Sequence, residues 1–349
     1  MMNQEWMTFL AAQDLAADSV KPDSVEKLAH TSPLVAELQA TRDSAVITPL
    51  TDLGLIRARG EDAANFLQNL MTNDIQGIAE QSARTAGFCT AKGRLLAIFL
   101  IWREGNDYLL MLPSEILPPL LKKLSMYVLR AKVKLTDATN ERVLVGVSVP
   151  ATVSPEPTFL AETLPVQGVA ATDGGQIIRL DSTRWLLSLE PAAAIRRWPE
   201  LTAHAKTTSL AAWHHLEIVA GQPRISVATQ EAFVPQMLNM DLPVVAGVSF
   251  TKGCYPGQEI VARTHYLGKV KRRMFRASLQ NPASPGTHVY APETGDQQCG
   301  ALVSVAPSPA GGFECLVSVQ SSAVAAGEVH LGAPDGERLG FLPLPYPID

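Results

Sequence analysis

Apolar and polar positions along the chain alternate between two periods, and the changes of period mark its elements. Residues 1–45 read as an acidic helical extension interrupted at Ser32-Pro33. From Leu50 to Arg59 the apolar residues Leu53, Leu55 and Ile56 read as a strand that Gly60 ends. Ala63, Phe66, Leu67, Leu70 and Met71 then recur at three- and four-residue steps, a helix with Asp62 at its first turn and Thr72-Asn73-Asp74 as its stop. Leu95–Trp102 is an unbroken apolar run of strand length, and the polar residues 103–107 turn it into Tyr108–Leu112 as a hairpin. Pro118 to Leu129 carries Leu120, Leu121, Leu124 and Val128 on one helical face, with its prolines confined to the first turn. Ala131–Thr136 reads as another strand.

This order of strand, helix, strands, helix, strand is compatible with a ferredoxin-like unit on an antiparallel sheet. A similar passage follows, with strands at Gln176–Leu180 and Trp185–Leu189 and helices at Ala192–Ala205 and Ser209–Ala220, the last ended by Gly221 and Pro223. After Arg276 the chain becomes short apolar runs punctuated by Gly, Pro and Ser with no helical stretch, the pattern of a small barrel or sandwich. The fold class expected is α+β. No fixed-period repeat is present.

Composition narrows the function classes. With 349 residues, 46% hydrophobic and 18% charged, the chain has material for two or three cores. Its longest apolar run, Leu95–Trp102, is far below the ~20 residues of a membrane span, so no membrane partner is expected. The first residues lack the basic and apolar blocks of a secretion signal, which points to the cytoplasm. The net charge of −5 excludes a chain-wide grip on nucleic acid. Between Lys252 and Arg276, however, seven basic residues stand against Glu259 alone, a local +6 that leaves −11 for the rest. Such a segment fits an anionic ligand, or a solvated strand without function.

The candidate chemistry is a thiol. Cys89, Cys254, Cys299 and Cys315 are widely spaced with no CxxC, so neither disulfides nor a self-contained zinc site is expected, and no stable metal. There is no GxGxxG, P-loop, HExxH or GxSxG. His214 and His215 are adjacent, about 100° apart on a helix, and fit ordinary packing roles. Lys252-Gly253-Cys254-Tyr255-Pro256-Gly257-Gln258-Glu259 differs: two glycines and a proline bracket Cys254 in a tight polar loop. Lys252 and the later arginines would favour a thiolate, as nucleophile, metal ligand or redox-sensitive sulfur; the alternative is an inert cysteine in a turn.

That loop resembles the signature of the YgfZ-type folate-binding proteins, a group with mitochondrial iron-sulfur assembly relatives and a fold similar to the glycine-cleavage T-protein. Leu53-Gly54-Leu55-Ile56, Gly60-Glu61-Asp62-Ala63 and Thr72-Asn73-Asp74 resemble the family's opening block. Phe233–Asn239 precedes the signature, Gly268–Arg273 follows it and Pro343-Leu344-Pro345-Tyr346 closes the chain. The resemblance implies a T-protein-like ring after the 1–45 extension: folate-binding subdomains at 46–145 and 146–275, both ferredoxin-like-related, and a C-terminal antiparallel β-barrel at 276–349. It implies tetrahydrofolate or a derivative as ligand. Trp213 maps onto a pocket tryptophan that would stack on the pterin, with a core tryptophan as the alternative, and a second pocket position falls at Leu53. The basic segment, Arg263 within it, would meet the glutamate tail.

The function implied is an accessory role in iron-sulfur cluster assembly or repair, with assembly proteins and cluster-containing client enzymes, tRNA-modifying ones included, as partners. Cys254 would be the functional thiol or a transient cluster ligand, Lys252 would tune its charge, and Tyr255, Gln258 and Glu259 would shape the loop and belong to the folate-binding set. Aminomethyl transfer, the T-protein reaction, is the competing enzyme reading. Its aspartate pair is absent where Gly93-Arg94 runs into Leu95–Phe99, removing general acid–base help of ~10²–10⁴-fold. A second alternative is docking of tRNA or an acidic protein on the +6 segment.

Overall fold

A computed structural model describes residues 2–15, 32–153, 160, 164–266 and 270–348. The chain opens with helices α1 (Gln4–Ala12) and α2 (Ser32–Asp43), strands β1 (Val46–Pro49) and β2 (Leu53–Arg59), and a short α3 (Ala63–Gln68). β3 (Ala83–Cys89), β4 (Leu95–Glu104), β5 (Asp107–Pro113), α4 (Leu117–Ser125), β6 (Lys134–Asp137) and β7 (Val143–Ser148) follow. Then come β8 (Val169–Thr172), β9 (Gly175–Arg179), β10 (Arg184–Leu189), α5 (Pro191–His204), β11 (Lys206–Thr207) and α6 (Leu210–Val219). The last part holds α7 (Gln258–Tyr266), β12 (Arg272–Leu279), β13 (His288–Tyr290), β14 (Gln298–Pro307), β15 (Phe313–Gln320), α8 (Ser321–Ala326), β16 (His330–Leu331) and β17 (Gly340–Leu342).

These elements form two compact units, each assembled from separated stretches: Met1–Ala64, Gly77–Arg84 and Leu100–Trp213 in one, Asn65–Gln76, Thr85–Phe99 and His214–Asp349 in the other. In the first unit a six-stranded sheet runs β11-β1-β7-β10-β9-β8. Its central strands are apolar on both faces because both are covered: Val143–Ser148 and Arg184–Leu189 are buried throughout. One face carries Ile47, Val145, Val147, Trp185 and Leu187 into a cluster with Trp198 and Leu201 of α5. Trp6 and Leu10 of α1 belong to the same cluster, and Trp6 meets Trp198 edge-on at 5.4 Å, so α1 is part of this core. Asn3 sets its start, the side chain accepting from the Trp6 amide.

The expected hairpin is present. β4 turns at Gly105, whose φ is +59°, into β5 with Arg103 opposite Tyr108, and β2 lies between β5 and β6. Pro118 and Pro119 occupy the first turn of α4. That helix ends at Ser125 instead of continuing to Leu129. Pro33 likewise lies in the first turn of α2, where its missing amide costs nothing, so Ser32-Pro33 begins a helix; residues 16–31 lie outside the described part.

In the second unit β12–β17 form one antiparallel sheet in the order β16-β13-β14-β15-β12-β17, a curled half-barrel. Its buried polar centre is Glu314 of β15, which accepts from Arg276 Nε at 2.7 Å and Ser308 Oγ at 2.9 Å and lies 3.4 Å from His215 Nε2. The short α8 breaks the expectation of an all-β segment; it is closed by Gly327 at φ +78°. The mixed helices and sheets, antiparallel except where β1 pairs with β11, make the chain an α+β protein, as expected.

Candidate functional site

The Cys254 loop is fixed by its neighbours. Lys252 points its ammonium at the carbonyls of Gln68, the last residue of α3, and of Met71 at 2.5 Å. Those carbonyls lack helical partners, and a cation at a helix C-terminus also meets the favourable end of its dipole. The same ammonium lies 5.0 Å from the Tyr255 ring centre, a cation–π contact. Burial pulls Lys252 down to about 8, opposed by the negative charges of Asp74 and Cys254. Lys252 therefore anchors the loop through backbone carbonyls as well as acting on the charge near Cys254.

Tyr255 is buried, 7% exposed. Burial raises its phenol, and the charge on neighbouring Cys89 raises it further. Cys89 at the end of β3 is itself pushed up to about 12 by burial. Gly257 turns the chain with φ +83°, and a Cβ there would lie 2.5 Å from the Thr90 carbonyl and 2.6 Å from Gly93 Cα. The loop thus rests backbone to backbone on the Thr90–Gly93 turn, which is closed by Thr90 N donating to Arg94 O and Gly93 N to Thr90 O. Only glycine allows both the dihedral and the approach. Gln258, half-buried, and Glu259, exposed, then open α7, whose Arg263 is exposed.

Between these anchors Cys254 is exposed, whereas Cys89, Cys299 and Cys315 are buried. Burial raises the thiols of Cys299 and Cys315 too. Cys254 is accordingly the one thiol of the four presented to solvent on a fixed backbone.

The block Thr72-Asn73-Asp74, read from sequence as a helix stop, belongs to this site. Thr72 Oγ1 donates to Gly247 O at 2.7 Å and accepts from Gly87 N, and Asn73 Nδ2 donates to Thr85 O and Ala246 O. Ser249 N donates to Thr72 O, and Ser249 Oγ accepts from Lys252 N. The sequence signals for this are three consecutive short polar residues after an apolar helix and their place in the opening block.

Lys252, Cys254, Tyr255, Gln258, Glu259 and Arg263 come together in the second unit. Trp213 and Leu53 lie in the first. Trp213, on α6, is 2% exposed: a Cβ on Gly146 of β7 would meet its six-membered ring at 2.5–2.7 Å, and Arg184 lies 5.6 Å from the ring centre. Arg184 is in turn held by Asp181 at 2.8 Å. With Gly146 and Arg184 against it the indole is buried as a core tryptophan is. Leu53, at the start of β2, is buried beside a small cavity lined also by Trp6, Leu50, Thr139, Arg142 and Val143.

The basic segment is also redistributed. Arg273 pairs with Asp241 at 2.5 Å, Arg276 pairs with Glu314, and Lys252 is spent on carbonyls. Arg263 and Lys271 remain exposed; Lys269 lies outside the described residues. The segment is the helix α7 followed by β12, not a single strand. Arg94, where the competing enzyme reading looks for a carboxylate, donates to Ala232 O at 2.7 Å, and Leu95–Phe99 is buried apolar strand.

A family model described as the GCVT N-terminal domain matches residues 20–154. The tRNA-modifying protein YgfZ of Colwellia psychrerythraea (strain 34H) is 32% identical over 258 residues, 72% of this chain and 76% of that protein. The chain belongs to the YgfZ family. The tRNA-modifying protein YgfZ of Vibrio vulnificus (strain YJ016) is 31% identical over 248 residues, covering 70% and 73% of the two chains. Among solved structures, the glycine cleavage system aminomethyltransferase T from Bartonella henselae superposes with a TM-score of 0.69 over 89% of each chain at 17% identity, which shows that this YgfZ-family chain shares the T-protein fold. No helix among the described residues is long and apolar enough to cross a membrane.

Proposed function

We propose that this YgfZ-family chain is a cytoplasmic accessory protein that binds tetrahydrofolate or a derivative and supports iron-sulfur cluster enzymes, tRNA-modifying ones among them. The observation that carries the reading is the single exposed thiol, Cys254, on a loop pinned by Lys252, Tyr255 and Gly257. An exposed sulfur beside an ammonium is chemically suited to transient ligation or thiol exchange. Among the described residues no three His, Cys, Asp or Glu side chains converge as ligands. Cys254 would therefore contribute one ligand to a transferred cluster, with the others supplied by the assembly protein or the client. The name of the relatives supports tRNA-modifying clients. Folate rests on the resemblance of the signature blocks, with Arg263 available to the glutamate tail.

The test is complementation of a deletion strain with Cys254→Ala, read as activity of a cluster-dependent tRNA-thiolating enzyme. Loss of activity with normal protein levels is expected; full restoration would remove the thiol from the function. Anaerobic titration with tetrahydrofolate tests the ligand separately, and an absence of saturable binding removes folate without touching the thiol.

A further inference from the structure

Three aromatic rings gather at the surface next to the cysteine loop. Phe250, just before the signature, stacks on His265 near the end of α7 with ring centres 3.7 Å apart and planes 14° from parallel. Tyr266 meets His265 edge-on at 4.9 Å and Phe250 at 6.1 Å. His265 is exposed, and Tyr266 is 66% exposed. Rings of this size normally bury their area in a core, and the anchors of the Cys254 loop do not use these three. Phe250 covers one face of the imidazole, and Tyr266 stands at 80° to it, so what the trio offers to solvent is single rings, that of Tyr266 above all.

The stretch of chain that carries His265 and Tyr266 is basic. No acidic residue occurs between Glu259 and Glu293. Arg263 lies one turn before Tyr266 on α7, a spacing that places the two side chains on neighbouring positions of one helix face. Lys271 is exposed beyond the helix. Flat rings that stack on any base, flanked by cations that follow a phosphate backbone, are the composition of a single-stranded nucleic-acid site. Duplex RNA offers no free base face and is read by shape across its minor groove.

We propose that Phe250, His265 and Tyr266 form a stacking platform for unpaired bases of an RNA, with Arg263 and Lys271 contacting its phosphates. This goes beyond the thiol and folate reading and does not depend on it. The assay is fluorescence anisotropy of the full chain with a labelled short oligouridylate, an unmodified tRNA transcript and a duplex RNA of matching length. The single strand binds more tightly than the duplex. His265→Ala/Tyr266→Ala weakens single-strand binding by about 5- to 150-fold, Tyr266→Phe retains it, and Arg263→Ala flattens the salt dependence by about one released counterion.

Absence of single-strand binding, equal binding of duplex, or wild-type affinity in the double variant each overturns the proposal. So does loss of tetrahydrofolate binding, or of binding to anionic vesicles, in that variant while RNA binding persists, since the rings would then serve a pterin or a lipid surface. Should the double variant be unstable by circular dichroism, Tyr266→Ala alone carries the test, because that ring lies mostly in solvent.

Discussion

Replacing Gly257 by alanine tests how the cysteine loop is held. At φ +83° an L-residue meets a steric penalty of about 1–2 kcal/mol, and the new methyl would stand 2.5 Å from the Thr90 carbonyl and 2.6 Å from both Gly93 Cα and Gly93 N. All three are backbone atoms of a hydrogen-bonded turn, so relief comes from moving the loop, at an overpacking cost of about 1–3 kcal/mol. A combined loss of about 2–5 kcal/mol matches the free energy of a local opening, so the loop should lift before the protein unfolds. Lifting it withdraws Tyr255 from Cys89. The readout is the number of thiols that react with a disulfide reagent under native conditions: one, Cys254, in the wild type, and a second, Cys89, in Gly257→Ala. Denaturant unfolding should show the matching stability loss. A variant with unchanged stability and one reactive thiol would refute the idea that the loop rests on the Thr90–Gly93 turn.

Two further outcomes follow from buried contacts. Burial alone would raise Glu314, but the His215 and Arg276 contacts outweigh it and hold the carboxyl at about 2, below the ordinary 4.5; its contribution is thus complete above about pH 4.5 and lost as pH falls toward 2. Glu314→Gln should cost about 3–5 kcal/mol at neutral pH by stranding Arg276, and chemical denaturation repeated near pH 3 should show a smaller difference from wild type. Gly146→Ala drives a methyl into the Trp213 ring and should destabilise the first unit by about 1–3 kcal/mol, measured by thermal unfolding with tryptophan fluorescence.

Local pattern made much of the fold legible. The β4–β5 hairpin, the proline-started α4 and the glycine-ended α6 follow from residues within a few positions of each other; the structure places the hairpin and α6 within two residues of expectation, while α4 stops four residues early. β7, Val143–Ser148, passed unread although it is a buried central strand, because a short apolar run without alternation carries no period of its own. α7 passed unread because Gly257 and the polar start of the helix look like loop continuing. The thiol was legible from its setting among Gly, Pro and Lys. Its supports were not: Lys252 binds carbonyls of residues 68 and 71, which the chain brings together only on folding. The charge count also overstated the field at the site, since Arg273 and Arg276 are neutralised by Asp241 and Glu314 from elsewhere in the sequence.

The close approach of Gly257 to Gly93 also limits what the eight-residue signature can carry by itself. Transplanted into another scaffold of the same fold, Lys252–Glu259 would arrive without the Gln68 and Met71 carbonyls that receive its ammonium and without the turn on which its glycine rests. A chimera would therefore have to move three segments at once: the end of α3, the Thr90–Gly93 turn and the signature. The portable unit of this site is a discontinuous one.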